Sequence, residues 1–308
     1  MSRLHLLRGK KQTASSSWER VPAPQPQNTH GRRYLKDQPY VLPKDNQEVE
    51  RLKFQHRMLY TQLHRHSFAP ILPASVRRLL DVGCGSGVWL TDVAALFPNA
   101  SLTGLDSDAD QIALANTLRH PHYQFLQGDV LQGLPFAEGT FEYTHMRCMI
   151  LAIPARSWPF VIGELVRVTA PRGWIEIFDG GQGCEHVGPN MQRMLTWGEQ
   201  ALAQRGFDVH VIDHLSTMLR QAGAYQVQKQ RLTIPVGSWA GRTGDLMAKD
   251  LLALFEAFKA PLCTALSLQP EQVDAVLRAL PHEWDTYRTS YTYLEVHGQC
   301  RKGRHEDI

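Results

Sequence analysis

Three carboxylates and three glycines carry the first legible chemistry. The stretch "LLDVGCGSGVWL" (79–90) sets Asp81 at the end of an apolar run and follows it with Gly83, Gly85 and Gly87. Glycines let a chain turn sharply and let a ligand approach bare backbone. The pattern G-x-G-x-G differs from the G-x-G-x-x-G of a dinucleotide loop, and no Gly-Lys-Ser/Thr follows to make a P-loop. A carboxylate at Asp81 would repel a diphosphate but suit an ammonium group. Asp106 ends the run "ASLTGLD", where an acid accepts hydrogen bonds from both ribose hydroxyls. In "FLQGDV", Asp129 can accept from an adenine amino group while the Val130 N–H donates to a ring nitrogen. The set describes a ligand that joins a zwitterion to a nucleoside.

Other candidates stand near these. His145, in "FEYTHMR", is of the residue type that most often serves as a general base. Arg147 could meet a carboxylate of cofactor or substrate, and His186, beside Glu185, could reach a substrate. Tyr40 could close over the cofactor, or pack in its loop. His56, Tyr60 and His64 share one helical face, as a lid or as core. His210 and His214 in "HVIDH" lack the Glu of HExxH and a third ligand, so no metal is expected.

These residues need a scaffold of alternating strands and helices. A helix is expected over Asp45–Ser67, capped by Asp45 or Asn46, with Glu48 in its first turn. Strands "RRLLDVG", "ASLTGLDS", "YQFLQGDV", "FEYTHMRCM" and "GWIEIFDGG" are separated by helical patterns or loops. In the fourth, Phe141, Tyr143 and His145 should share one side. This rhythm indicates a parallel sheet covered on both faces. Further helices are expected near 189–206, 213–222, 244–259 and 270–286. "YQVQKQRLTIPV" and "SYTYLEVHGQ" should form a late pair of strands at the sheet edge.

Composition bounds the rest. The chain has 308 residues, 43% hydrophobic and 20% charged, ordinary for a globular protein. No apolar run reaches the length of a membrane span. The five cysteines are scattered without CxxC, so a reducing, cytoplasmic setting is expected. The net charge of +3 is concentrated in residues 1–33, which hold seven Lys and Arg against Glu19 alone. Rich in Ser, Gln and Pro, this segment reads as a flexible basic tail. The body beyond it is not basic, which argues against nucleic acid as partner.

At these motifs the sequence resembles the class I S-adenosylmethionine-dependent methyltransferases. "LLDVGCGSGVW", "LTGLDSD", "FLQGDV", "FEYTHMR" and "LVRVTAPRGWIEIFDGG" match their successive motifs in order. The resemblance implies a Rossmann-like α/β sheet of order 3-2-1-4-5-7-6 with strand 7 antiparallel, and S-adenosyl-L-methionine as cofactor. Asp81, Gly83, Gly85 and Gly87 would hold its methionine part, Asp106 with Ser107 the ribose, and Asp129 with Val130 the adenine. Tyr40 and Arg147 would complete the site, with His145 and His186 as candidate bases. A narrower resemblance, through "YLKDQPYVLPKDNQEVERLKFQH" and "GSWAGRTGDLMAKDLL", is to the subgroup of LaeA-like regulators and bacterial natural-product methyltransferases. The Phe, Leu, Met and Trp content of the N-terminal helix and of the helices at 189–222 and 244–286 favours methyl transfer to a small, fairly apolar acceptor of the natural-product kind, by a monomer or homodimer. Residues 34–74 would form a helical lid and 75–308 the methyltransferase domain, with substrate-cap segments at about 189–222 and 244–286. The alternatives are a cofactor-binding regulator acting through protein partners, and a nicotinamide-dependent oxidoreductase.

Overall fold

Apolar runs such as those ending at Asp81, Asp106 and Gly128 become strands of one sheet. The computed structural model describes residues 26–29, 31–35 and 40–301. A hairpin of β1 (Pro26–Thr29) and β2 (Arg32–Leu35) leads to helix α1 (Asn46–Leu63). Then come β3 (Arg78–Val82), α2 (Val88–Val93), β4 (Ser101–Asp106), α3 (Ala109–Ala115), β5 (Tyr123–Gln127), β6 (Phe141–Arg147) and α4 (Trp158–Val168). The chain continues through β7 (Thr169–Glu185), α5 (Pro189–Gln204), α6 (Leu215–Gln221), β8 (Ala224–Pro235), α7 (Gly241–Leu266), α8 (Pro270–Tyr287) and β9 (Ser290–Cys300).

Seven strands form the main sheet in the order β5-β4-β3-β6-β7-β9-β8. The first five are parallel, and β9 runs antiparallel to both its neighbours. This is the expected order. Of the late pair of strands only β8 is an edge, because β9 inserts between β7 and β8.

Alternation along β3 sends Leu79 to one apolar layer and Leu80 to the other. The first layer, with Leu90, Val93 and Ile112, packs α2 and α3 on the sheet. The second, with Trp158, Val161, Leu165 and Leu219, packs α4 and α6. Phe141 joins this second layer rather than the side of Tyr143. The β6–β7 register shifts between those two residues, which breaks the alternation. A third core, with Met58, Met191, Met247, Leu277 and Trp284, joins α1, α5, α7 and α8 into a helical cap. α6 therefore belongs to the sheet layer and not to the cap expected over 189–222.

The Asp45 carboxylate caps α1 by accepting the Glu48 N–H at 3.0 Å. The helix stops before the expected Ser67, since His64 adopts a left-handed conformation (φ 52°) and donates its N–H to the Tyr60 carbonyl. The end of the expected basic tail is tied down: Arg32 Nε donates to Asp45 and Arg33 Nη2 to Asp110, both at 2.8 Å. Residues 1–25 of that tail lie outside the described residues.

Candidate functional site

The carboxyl ends of β3, β4, β5 and β6 open into a cleft of about 740 Å³, walled on the far side by residues 40–55. Tyr40, Asp81, Gly83, Gly85, Asp106, Ser107, Asp129, Val130, His145 and Arg147 all line it. Gly87 does not. It sits one residue before α2 at φ 76°, where a Cβ would meet the Phe125 ring at 2.8 Å. Its role is to let the loop turn into the helix. Gly83 (φ 74°) would press a Cβ onto Met149 Sδ, whereas Gly85 (φ 52°) has no atom nearer than 3.9 Å. Gly85 is where a ligand can meet bare backbone.

Each acid is held differently. Asp81 Oδ1 hydrogen-bonds His145 Nδ1 at 2.7 Å, a pair that follows from their facing positions on adjacent parallel strands. Trp89 stacks on the His145 ring (centroids 3.6 Å apart, planes at 6°) and donates its Nε1–H to the His66 carbonyl. His145 is thus buried, clamped and committed to orienting Asp81. Asp106 accepts from the N–H of Gly85 at 2.9 Å and of Asp108 at 2.8 Å, and burial raises its pKa. Asp129 accepts from the Leu131 N–H at 2.9 Å.

His186 is not part of this constellation. β7 runs on to Glu185, well beyond Phe178, the residue level with Arg147. His186 therefore stands exposed past the strand tip and lines none of the described cavities. The expected strand "GWIEIFDGG" is too short because β9 keeps pairing with β7, across a bulge between Gly180 and Gly183, down to Glu185.

Sequence reasoning missed the link that joins α1 to the sheet. Arg147 can only donate, so His56 Nδ1 accepts from its Nη2 at 2.8 Å and His56 Nε2–H donates to Asp92 at 2.7 Å. Donor atoms of His56, His66 and Asp92 lie within 4.8 Å of one another. The His56 lone pair that a cation would need already faces Arg147. Of the shared helical face, Tyr60 is 46% exposed and stacks on His66 at 4.2 Å, while His56 is buried.

Burial and the Arg147 charge push the His56 pKa down to about 4. The unfolded chain then binds more protons between pH 6.5 and that value, so stability falls as pH drops through this window. His56 should contribute a loss of about 2–3 kcal/mol there. Asp179 and Asp250 have raised pKa values, about 7 and about 6, and act in the opposite sense, gaining stability on acidification. In His56→Gln the opposing contribution remains and the His56 loss disappears. Denaturant titrations of both proteins at neutral pH and near pH 4 should show the variant losing less stability than the parent; equal losses would refute this account.

A second cavity, of about 130 Å³, opens beside the cleft and shares Tyr40, Leu52, Gln55 and Cys148 with it. Met194, Leu202, Met247, Leu254, Phe255 and Phe258 make it largely apolar. It lies between the cap helices and the ends of β6, β7 and β9.

The cleft suits the expected cofactor. Eight carboxylates against four Lys and Arg line it, a balance hostile to a diphosphate and favourable to an ammonium group, a ribose diol and an adenine amine. Residues 79–173 match the methyltransferase domain family. The fold is that of the class I, Rossmann-like methyltransferases, and residues 79–173 carry their domain pattern. Over 273 residues the chain is 26% identical to the N-methyltransferase verN of Clonostachys rogersoniana, covering 84% of this chain and 92% of that one. Over 210 residues it is 26% identical to the secondary metabolism regulator laeA of Aspergillus niger, covering 65% of this chain and 54% of that one. Among solved structures, phosphoethanolamine N-methyltransferase 2 of Haemonchus contortus, in complex with S-adenosyl-L-methionine, shares the fold at a TM-score of 0.51 and 14% identity. That match covers 82% of this chain and only about half, 53%, of the other. No helix among the described residues is long and apolar enough to cross a membrane.

Proposed function

We propose that this protein transfers a methyl group from S-adenosylmethionine to a small, fairly apolar acceptor of the natural-product kind. One observation carries the reading: an apolar cavity opens directly beside a carboxylate-lined cleft, with Tyr40, Leu52, Gln55 and Cys148 shared between them. When bound, the cofactor supplies an electrophilic methyl group on a sulfonium. Asp81, fixed by His145, would take its ammonium group. The backbone around Gly85 would face its methionine arm, Asp106 and Ser107 its ribose, and Asp129 with Val130 its adenine. Residues 40–55 act as a lid over the cleft, and α5 and α7, which line the second cavity, exclude water from the acceptor, so positioning supplies much of the rate. His145 lines the cleft but is already bonded to Asp81, so its part is to orient that acid and not to take a substrate proton.

All five cysteines are free, which fits a reducing cytoplasmic compartment. Incubating the purified protein with methyl-labelled cofactor and a panel of aromatic and prenyl-type acceptors should label a small molecule. Label found only in a protein would overturn the proposal.

The similarity to laeA favours a second reading, in which the protein binds the cofactor and acts through protein partners. Removing residues 1–25, which spares Arg32 and Arg33 at the cleft, separates the two. An enzyme of small molecules keeps its turnover, whereas a regulator that uses its basic tail loses partner binding.

A further inference from the structure

Two carboxylates stand in the largely apolar cavity, which Arg51 and Gln55 also line. Asp250 on α7 and Asp179 on β7 both line it, and each is 1% exposed. Charges buried to this degree are costly unless paired.

Neither is fully paired. Asp179 accepts the N–H groups of Met149, Ile150 and Gly180, and among the described residues it forms no ion pair. Asp250 Oδ2 accepts from Gln55 Nε2 at 3.0 Å, and its Oδ1 lies 3.5 Å from Arg51 Nη1. Arg51 gives its closer contacts, 2.7 to 3.0 Å, to Glu48. Arg32 also approaches Glu48, at 3.8 Å, but holds Asp45 at 2.8 Å. Two guanidinium groups thus serve three carboxylates, and Asp179 adds a fourth. The raised pKa values of Asp179 and Asp250, both caused chiefly by burial, agree with this shortage of cations.

Taking the cavity to be the acceptor site of the methyltransferase reading, we propose that the acceptor carries a hydrophobic amine, anchored there as its ammonium by Asp250 and Asp179, while another atom of the acceptor receives the methyl group. The ammonium supplies the missing cation. The carbon skeleton fills the space between Met194, Met247, Leu254 and Phe258. A neutral molecule of the same shape would leave the buried charge uncompensated.

Matched probes test this on the full chain saturated with S-adenosylhomocysteine. Phenethylamine is compared with phenethyl alcohol, and tryptamine with tryptophol, by calorimetry at neutral pH. The amine of each pair should bind about tenfold more tightly or better, as a charge-assisted contact requires. Asp250→Asn should bring the two within about twofold, and Asp250→Glu should keep the preference. An amine that binds no better than its alcohol, including no binding by either, overturns the proposal, as does a preference unchanged in Asp250→Asn. Binding of S-adenosylhomocysteine is measured first in every sample. Its absence in the parent protein would remove the methyltransferase reading itself, whereas its presence without amine preference removes only this inference. Its retention in the variants shows that they are folded.

Discussion

Asp106→Ala should raise the Kd for S-adenosylhomocysteine by about 100-fold or more while leaving the protein folded. One oxygen of Asp106 fixes the glycine loop through the Gly85 N–H, and the other fixes the turn into α3 through the Asp108 N–H. The same carboxylate faces the cleft at the place suited to a ribose diol. Two lost hydrogen bonds to a charged acceptor cost about 3 kcal/mol or more, which sets the expected factor. Asp106→Asn, which keeps one acceptor oxygen, should lose less. Calorimetric titration reads the effect, and an alanine variant that binds as the parent does would show that the cleft does not hold the nucleoside there.

Glu283→Ala should destabilise the fold by about 4 kcal/mol. α5 starts at Pro189 with no side-chain cap of its own. Instead Glu283, reaching across from α8 and only 6% exposed, accepts the N–H groups of Asn190 and Met191 and the Asn190 side-chain amide at 2.7 to 2.9 Å. Gly188 makes room, since a Cβ there would clash with the Glu283 side chain. Truncation strands buried donors at the positive end of a helix. Denaturant unfolding should show a lower midpoint with an unchanged slope; a loss under about 1 kcal/mol would mean that water replaces the carboxylate. α5 contributes Met194, Leu195, Gly198 and Leu202 to the second cavity, so apolar ligands should weaken there while cofactor binding holds.

The cofactor cleft was legible because its groups lie close to one another in sequence motifs. Asp81 and the glycines share one loop, and Asp106 and Asp129 each close an apolar strand, so local pattern located them at the same end of a sheet. The Asp45 cap was readable for the same reason. The charged cluster of the second cavity was not, because Arg51 and Asp250 are 199 residues apart and meet only when α1 packs on α7. A signal was present: Asp250 falls on the helical face of Met247, Leu251 and Leu254, where an acid has no reason to be unless paired or facing a ligand. Glu283 likewise lies among Val276, Leu280 and Trp284 of α8. His186 failed for a different reason. The length of β7 is set by the partner it finds in β9, and a strand read without its partner ends too early.

The position of β9 bears on how the molecule is made. Its two neighbours precede it in sequence, yet neither can pair with the other across the gap that it fills. While the chain emerges from the ribosome, β7 and β8 each expose an open edge until the Ser290–Cys300 segment arrives. Those edges are the natural points for a chaperone to bind or for nascent chains to stick together. Sheet completion is therefore a late, long-range event, whereas the parallel strands that carry the glycine loop can assemble earlier.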